Sequence, residues 1–186
     1  MSGNPLFPAP TRYTDQGATL SEDQLHRYRC WRTWGPAAPL GWLMLNPSTA
    51  DALVLDPMLR RVEGFSRREG AGGFEVWNLW SLRSTDPTGL WTWMVTGDRQ
   101  PDYDANVAAI DAELPRFRRV VCAWGSFSAV PKILRRGAEE VARATVRRLQ
   151  AAGVETLCIV VNADGQPKHP LYTAGDAPLL PFRADP

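Results

Sequence analysis

Four short clusters in this chain hold residues that could do chemistry together: Asn46-Pro47-Ser48, the run from Asn78 to Arg83, Trp124-Gly125-Ser126, and Lys168-His169-Pro170-Leu171. His169 is the acid-base candidate, because an imidazole gains and loses its proton near neutral pH. Asn46 and Asn78 carry amides that donate and accept at once, which suits them to orienting a water or reading a polar edge. Asn46 has no carboxylate to remove a proton. Gly125 permits a tight turn that brings backbone amides close to a ligand, and Leu171 with Tyr172 offers surface that inserts or stacks. Each cluster also has a plainer use. Asn-Pro is common turn chemistry, and Ser48, Thr49 or Asp51 could cap a helix. A buried Asn78 can simply tie down a loop, and a lone histidine packs more often than it catalyses.

What must position these clusters is a set of strands, because each follows an apolar run. Residues 40–45, 74–80, 119–124 and 157–161 read as buried strands. Asp56-Pro57 reads as a helix start, with Met58, Val62 and Phe65 on one face and Gly70 as the stop. Residues 103–114 form a second helical pattern through Val107, Ile110 and Leu114, ended by Pro115, and residues 137–152 a third through Val141, Thr145 and Leu149. Residues 25–34 alternate like a half-exposed edge strand. Residues 1–20, rich in Pro, Thr and Gly, read as a loosely ordered arm before a single domain over 21–186. Residues 89–100, with Trp91 and Trp93, show no clear period and read as an irregular loop with partly exposed aromatics. Strands alternating with helices predict an α/β fold: three layers, α/β/α, around a central, mostly parallel four-stranded sheet, with an N-terminal edge strand. In such sheets ligands bind beyond the carboxyl ends of the strands, so the four clusters are expected to converge.

Composition narrows the classes. With 186 residues, 44% hydrophobic and 22% charged, the chain can bury one sizeable core. No apolar run approaches the ~18 residues of a membrane span, and the first residues lack a basic stretch followed by an apolar one, so no membrane partner is expected and the default compartment is the cytoplasm. Cys30, Cys122 and Cys158 are widely spaced and odd in number, which argues for buried thiols rather than a disulfide framework or a zinc site. With only His26 and His169 as histidines, neither a metal nor a cofactor is expected. The net charge of +1 does not advertise nucleic-acid binding. The basic residues are nearly all Arg, in clusters such as Arg60-Arg61 and Arg147-Arg148; most suit a solvated helix surface, although a guanidinium also grips phosphate in a fork.

Arg27-Tyr28 with Trp31 and Trp34, Met44-Leu45-Asn46-Pro47-Ser48-Thr49-Ala50-Asp51, Asn78-Leu79 to Arg83, Ala123-Trp124-Gly125 and His169-Pro170-Leu171-Tyr172, in that order, resemble the bacterial domain-of-unknown-function family 1643. The resemblance spans most of the chain. One departure is Leu55-Asp56-Pro57-Met58, where the family usually has Asp-Asp-Pro-Thr, which weakens any role for that loop. More distantly, the same order resembles the uracil-DNA glycosylase superfamily, with its Asn-Pro or Asp-Pro water-holding strand end, base-reading Asn, Trp-Gly strand end and late His-Pro loop. That resemblance implies that Asn46 positions an attacking water, Asn78 reads a base edge and His169 donates a hydrogen bond to the departing base, with Leu171 as a wedge. Pro47, Ser48, Arg83, Trp124, Gly125, Ser126 and Lys168 would complete the substrate site.

The function this implies is a glycosylase-like protein that recognises, and hydrolyses the N-glycosidic bond of, a modified or damaged base in nucleic acid. A neutral amide at Asn46 favours a slow or selective enzyme. Net charge near zero gives little steering toward a duplex from which a base must be flipped, so a free nucleotide stands as an alternative ligand. Two other expectations compete: a module that binds a nucleotide or modified base without cutting it, and a protein-interaction domain presenting Trp91 and Trp93. A magnesium-dependent phosphate enzyme using Asp51 and Asp56 ranks last.

Overall fold

Polar clusters reach one edge of this fold because the strands before them run side by side in the same direction. The computed structural model describes residues 12–49, 54–96 and 99–183. Residues 1–11 of the expected arm, Ala50 and Asp51 of the Asn-Pro motif, and Gly97 and Asp98 of the Trp-rich stretch lie outside the described residues. In chain order the strands are β1 (Asp15–Leu20), β2 (Arg27–Thr33), β3 (Leu40–Met44), β4 (Gly73–Asn78), β5 (Arg119–Cys122), β6 (Glu155–Cys158) and β7 (Leu180–Pro181). The helices are α1 (Pro57–Arg68), α2 (Pro87–Val95), α3 (Gln100–Glu113) and α4 (Lys132–Ala151).

The seven strands form one mixed sheet in the order β1-β2-β4-β3-β5-β6-β7. β4, β3, β5 and β6 pair in parallel, whereas β1, β2 and β7 join antiparallel at the flanks. Every residue of β3 is buried, as the unbroken apolar run demands of a strand covered on both faces. Trp42 and Met44 pack with Leu59, Val62 and Phe65 of α1. Leu43 points the other way, into a core with Leu90 of α2, Ile110 of α3 and Ala142 and Val146 of α4. The sheet therefore has helices on both faces.

This arrangement creates a crevice. The chain leaves β3 toward α1 on one face and leaves the neighbouring β5 toward α4 on the other, so the two exits diverge above adjacent strand ends. Such a switch point is where open α/β sheets bind ligands.

Four expectations require correction. The sheet has seven strands rather than four plus an edge, and β2 is not an edge, because β1 pairs along it with Asp15 opposite Thr33. Residues 15–20, assigned to the arm by their small and polar composition, are that strand. Residues 89–95 are not part of an irregular loop but of α2: Asp86 caps the helix by accepting from the Thr88 amide at 2.8 Å, and Leu90 is buried. Tryptophans on several sides of the helix, with Leu90 facing the core, blur the helical period there. Helix α4 begins five residues ahead of Gly137, at Lys132, and runs through that glycine, whose missing side chain would meet open space. Cys30, Cys122 and Cys158 are buried and unbridged, and among the described residues no helix is long and apolar enough to cross a membrane.

Candidate functional site

Above the carboxyl ends of β3, β4, β5 and β6 lies a cleft of about 470 Å³. Its walls include Met44, Asn46 and Ser48 after β3, Ser84 and Thr85 after β4, Trp124 after β5, and His169, Leu171 and Tyr172 from the loop that follows β6. Asp56 and Met58, at the start of α1, close one side. The volume falls within the ordinary range for a small-molecule pocket.

Asn46 is held firmly. Its side-chain nitrogen donates to the carbonyls of Ser84 at 2.8 Å, Pro47 at 3.2 Å and Leu82 at 3.4 Å. Three acceptors on one side fix which end of the amide is nitrogen, and the oxygen accepts nothing from any described residue. Asn46 thus joins the loop after β3 to the loop after β4 and keeps one acceptor for the cleft. Arg83 reinforces the same junction by donating to the carbonyls of Gln24 at 3.0 Å and Thr49 at 2.8 Å.

His169 sits at the opposite wall. Its Nδ1 accepts a long 3.4 Å hydrogen bond from the Leu171 amide, capping the short 3₁₀ turn Pro170–Tyr172. An accepting Nδ1 places the proton of a neutral ring on Nε2, which makes that atom a donor. Burial pushes the His169 pKa below its ordinary 6.5, outweighing the opposite pull of the Asp56 carboxylate, so the ring is neutral at pH 7. Arg61 of α1 fixes this turn by donating to the carbonyls of Pro170 at 3.3 Å and Thr173. Gly125 packs alongside: its φ is +92°, and a Cβ there would lie 3.6 Å from the His169 Cβ. Its amide donates to the Pro167 carbonyl at 2.9 Å, which ties the β5 exit to the histidine loop.

Asp56 is the one carboxylate lining the cleft among the described residues. Oδ1 accepts from the Leu59 amide at 2.7 Å as the α1 cap, while Oδ2 has, among the described residues, the Ser48 hydroxyl at 3.5 Å.

The expected residues are therefore partly assembled. Asn46, Ser48, Trp124, His169 and Leu171 line one cleft, and Gly125 adjoins it. Leu171 and Tyr172 stand exposed at its mouth, at 42% and 73%. Pro47 is buried and serves through its carbonyl, which accepts from the Ser84 amide at 2.9 Å. Asn78 is buried at the end of β4, in register with Met44. Ser126 does not face the cleft: its hydroxyl donates to Asp164 at 2.6 Å within an exposed turn. Lys168 is not among the cleft-lining residues either, and its amide anchors the loop on the Val160 carbonyl at 2.7 Å. Arg83 grips backbone rather than the cleft. The sequence offers Asp56 as a helix cap and a magnesium ligand rather than as a wall of this cleft, and the expected site ends at Arg83, short of Ser84 and Thr85, and leaves out Arg61.

The family described as Protein of unknown function (DUF1643) matches residues 27–171. The chain belongs to this family. The matched span runs from the first residue of β2 to Leu171 at the cleft mouth, so it contains every residue of the cleft wall except Tyr172. No curated protein and no solved structure matches the chain.

Proposed function

We propose that the cleft of this family member receives a nucleobase and acts on, or recognises, its N-glycosidic bond, with a modified or damaged base as the target. The observation that carries this reading is the neutral His169, a half-buried residue whose Nε2–H is a donor, sharing one cleft with the fixed amide of Asn46 and the carboxylate of Asp56. The remoter resemblance to uracil-DNA glycosylases points the same way, as does the position of the cleft at the switch point of four parallel strands.

In the hydrolytic form of this proposal, the free oxygen of Asn46 accepts a hydrogen bond from a water and orients its lone pair toward the anomeric carbon. As the new C–O bond forms, the C–N bond breaks and its electron pair moves onto the base. His169 donates Nε2–H to the base atom where that charge collects. Removing one preorganised donor of this kind typically costs about 2.7 to 4 kcal/mol of transition-state stabilisation. Asp56 takes the proton of the attacking water and stabilises positive charge on the sugar. It supplies the carboxylate that Asn46 lacks. Leu171 and Tyr172 at the mouth cover the entering base.

A second reading has its own support. Three carbonyls occupy the Asn46 nitrogen, so the amide holds loops together even without ligand, which suits a module that binds a base without cutting it. The deciding experiment incubates the protein with single- and double-stranded oligonucleotides and free nucleosides carrying altered bases, and scores released base. Asp56→Asn is the control of choice, because asparagine still caps α1 while the charge is lost. Release that His169→Ala and Asp56→Asn abolish supports hydrolysis. Retention without release favours the binding module, and neither with any base defeats the proposal.

A further inference from the structure

Behind the cleft, on the α1 face of the sheet, lies a buried cation without a counter-ion among the described residues. Arg27 opens β2 and is 4% exposed, yet its side chain makes no ion pair or hydrogen bond with any described residue. Other arginines with a buried, unpartnered Nε differ from it. Arg29 is paired with Glu75 at 2.8 Å, and Arg83 and Arg135 donate through their terminal nitrogens to backbone carbonyls. Arginine does not shed its proton at ordinary pH, so burial cannot be relieved by neutralisation, as it can for lysine or histidine. A buried charge is tolerated when it is paired, and an arginine fork pairs best with a carboxylate or phosphate.

The surroundings say where the partner enters. β2 runs antiparallel to β4, and the Arg27 amide donates to the Ser81 carbonyl at 2.8 Å, so the start of β2 lies against the end of β4. There sits Asn78, 2% exposed, whose side-chain amide also makes no hydrogen bond with a described residue. Strand alternation puts Asn78 on the side of Phe74 and Val76, the α1 face, next to Met44 of the cleft wall. Two of the charges that act on Arg27, Asp56 and Arg83, border the same cleft: Asp56 lines it, and Arg83 precedes Ser84, which lines it. Asp56 is already committed to capping α1 and makes no ion pair with Arg27.

From this juxtaposition of Arg27 and Asn78, neither with a side-chain partner among the described residues, at adjoining strand ends beside the cleft, we infer that the protein binds the terminal phosphate of a small phosphorylated ligand, a free nucleoside monophosphate. This rests on the base-binding cleft proposed above. Arg27 grips two phosphate oxygens and Asn78 donates to a third, while the base lies against His169 and Asn46. Side chains sunk to 4% and 2% exposure admit a terminal group more readily than the phosphodiester of a continuous strand, which must run on past both ends. A net charge of +1 likewise gives little long-range steering toward a polyanion.

Thermal melting and calorimetric titration of the full chain test this, using wild type and Arg27→Met with inorganic phosphate, the nucleoside 5′-monophosphates, the matching nucleosides and a short single-stranded oligonucleotide. Without ligand, Arg27→Met should melt above wild type, because an apolar side chain replaces an uncompensated buried charge. Inorganic phosphate should raise the melting temperature of wild type and not of the variant. One monophosphate should bind wild type about 10- to 100-fold more tightly than its nucleoside, as expected for charge-assisted hydrogen bonds, and Arg27→Met should bring that ratio close to one. Asn78→Leu, similar in volume, should lower the ratio without unfolding the protein.

An Arg27→Met variant that melts well below wild type or does not fold would show that the guanidinium has a partner within the chain, and would overturn the inference. So would phosphate that leaves wild type unmoved, or an oligonucleotide that binds more tightly than any monophosphate. The two proposals separate cleanly. Phosphate binding lost in Arg27→Met with no response to any nucleoside keeps the anion site and defeats the base-binding cleft. Nucleoside binding lost in His169→Ala with no response to phosphate does the reverse.

Discussion

Replacing Asn46 by alanine separates the structural work of this amide from its work on a ligand. The side-chain nitrogen meets three backbone carbonyls, one at 2.8 Å and two at 3.2 and 3.4 Å. Only the shortest has good hydrogen-bond length, and a bond of that quality contributes about 1 kcal/mol net, with a further cost for leaving the Ser84 carbonyl without this donor. The sum is a loss of about 2 kcal/mol, which for a chain of this size lowers the melting temperature by about 4 to 8 °C. Asn46→Asp should cost more, because it points a carboxylate at three carbonyl oxygens. Urea denaturation followed by tryptophan fluorescence reads both variants, and an unchanged m-value would confirm that the loss is one of stability. If both variants denature within the error of wild type, Asn46 does not clamp the two loops, and the fixed orientation of its oxygen in the cleft falls with that result.

Gly125→Ala should destabilise by about 1 to 3 kcal/mol, because φ of +92° is strained for alanine although its Cβ finds ordinary space at 3.6 Å from the His169 Cβ; a melting curve reads this. His169 binds its proton less readily folded than unfolded, so the unfolded state takes up more protons as the pH falls through 6.5 and stability declines from there downward. His169→Gln should flatten that decline in a pH series of denaturation curves. The thiols of Cys122 and Cys158, pushed up in pKa by burial, should react with a disulfide reagent only when the chain unfolds, a result that native-state thiol counting checks.

Much of this architecture was legible in local sequence. The runs that became β3, β4 and β5 lack the alternation of a half-exposed strand because both their faces are covered, Glu75 of β4 being buried with the rest, and Asp56-Pro57 marks the start of α1 by a cap and a proline. The segment Asp15–Leu20 was not legible, since nothing in Gln16-Gly17-Ala18 favours a strand until β2 offers its edge; Gly17 is needed there because a Cβ would lie 2.5 Å from the Trp31 ring. Helix α2 hid its period behind Trp91 and Trp93, which pack at the margin of the core while Leu90 alone is fully buried. At the site, the strand-end logic brought Asn46, Ser48, Trp124, His169 and Leu171 together. It failed for Ser126 and Lys168, whose neighbours in sequence face the cleft while they bond elsewhere. Arg27 shows the limit of local reading: a buried guanidinium with no partner among the described residues is a property of packing, and nothing about an arginine at the head of a strand announces it.

The central claim is that a neutral His169 presents Nε2–H to a base in this cleft, and ¹⁵N NMR of histidine-labelled protein tests it most directly. In the free protein at pH 7 the His169 proton should reside on Nε2, and a nucleoside that fits should shift that resonance saturably while Asn46→Ala weakens the effect. A proton on Nδ1, or a His169 signal that no nucleoside or nucleotide moves, would contradict it.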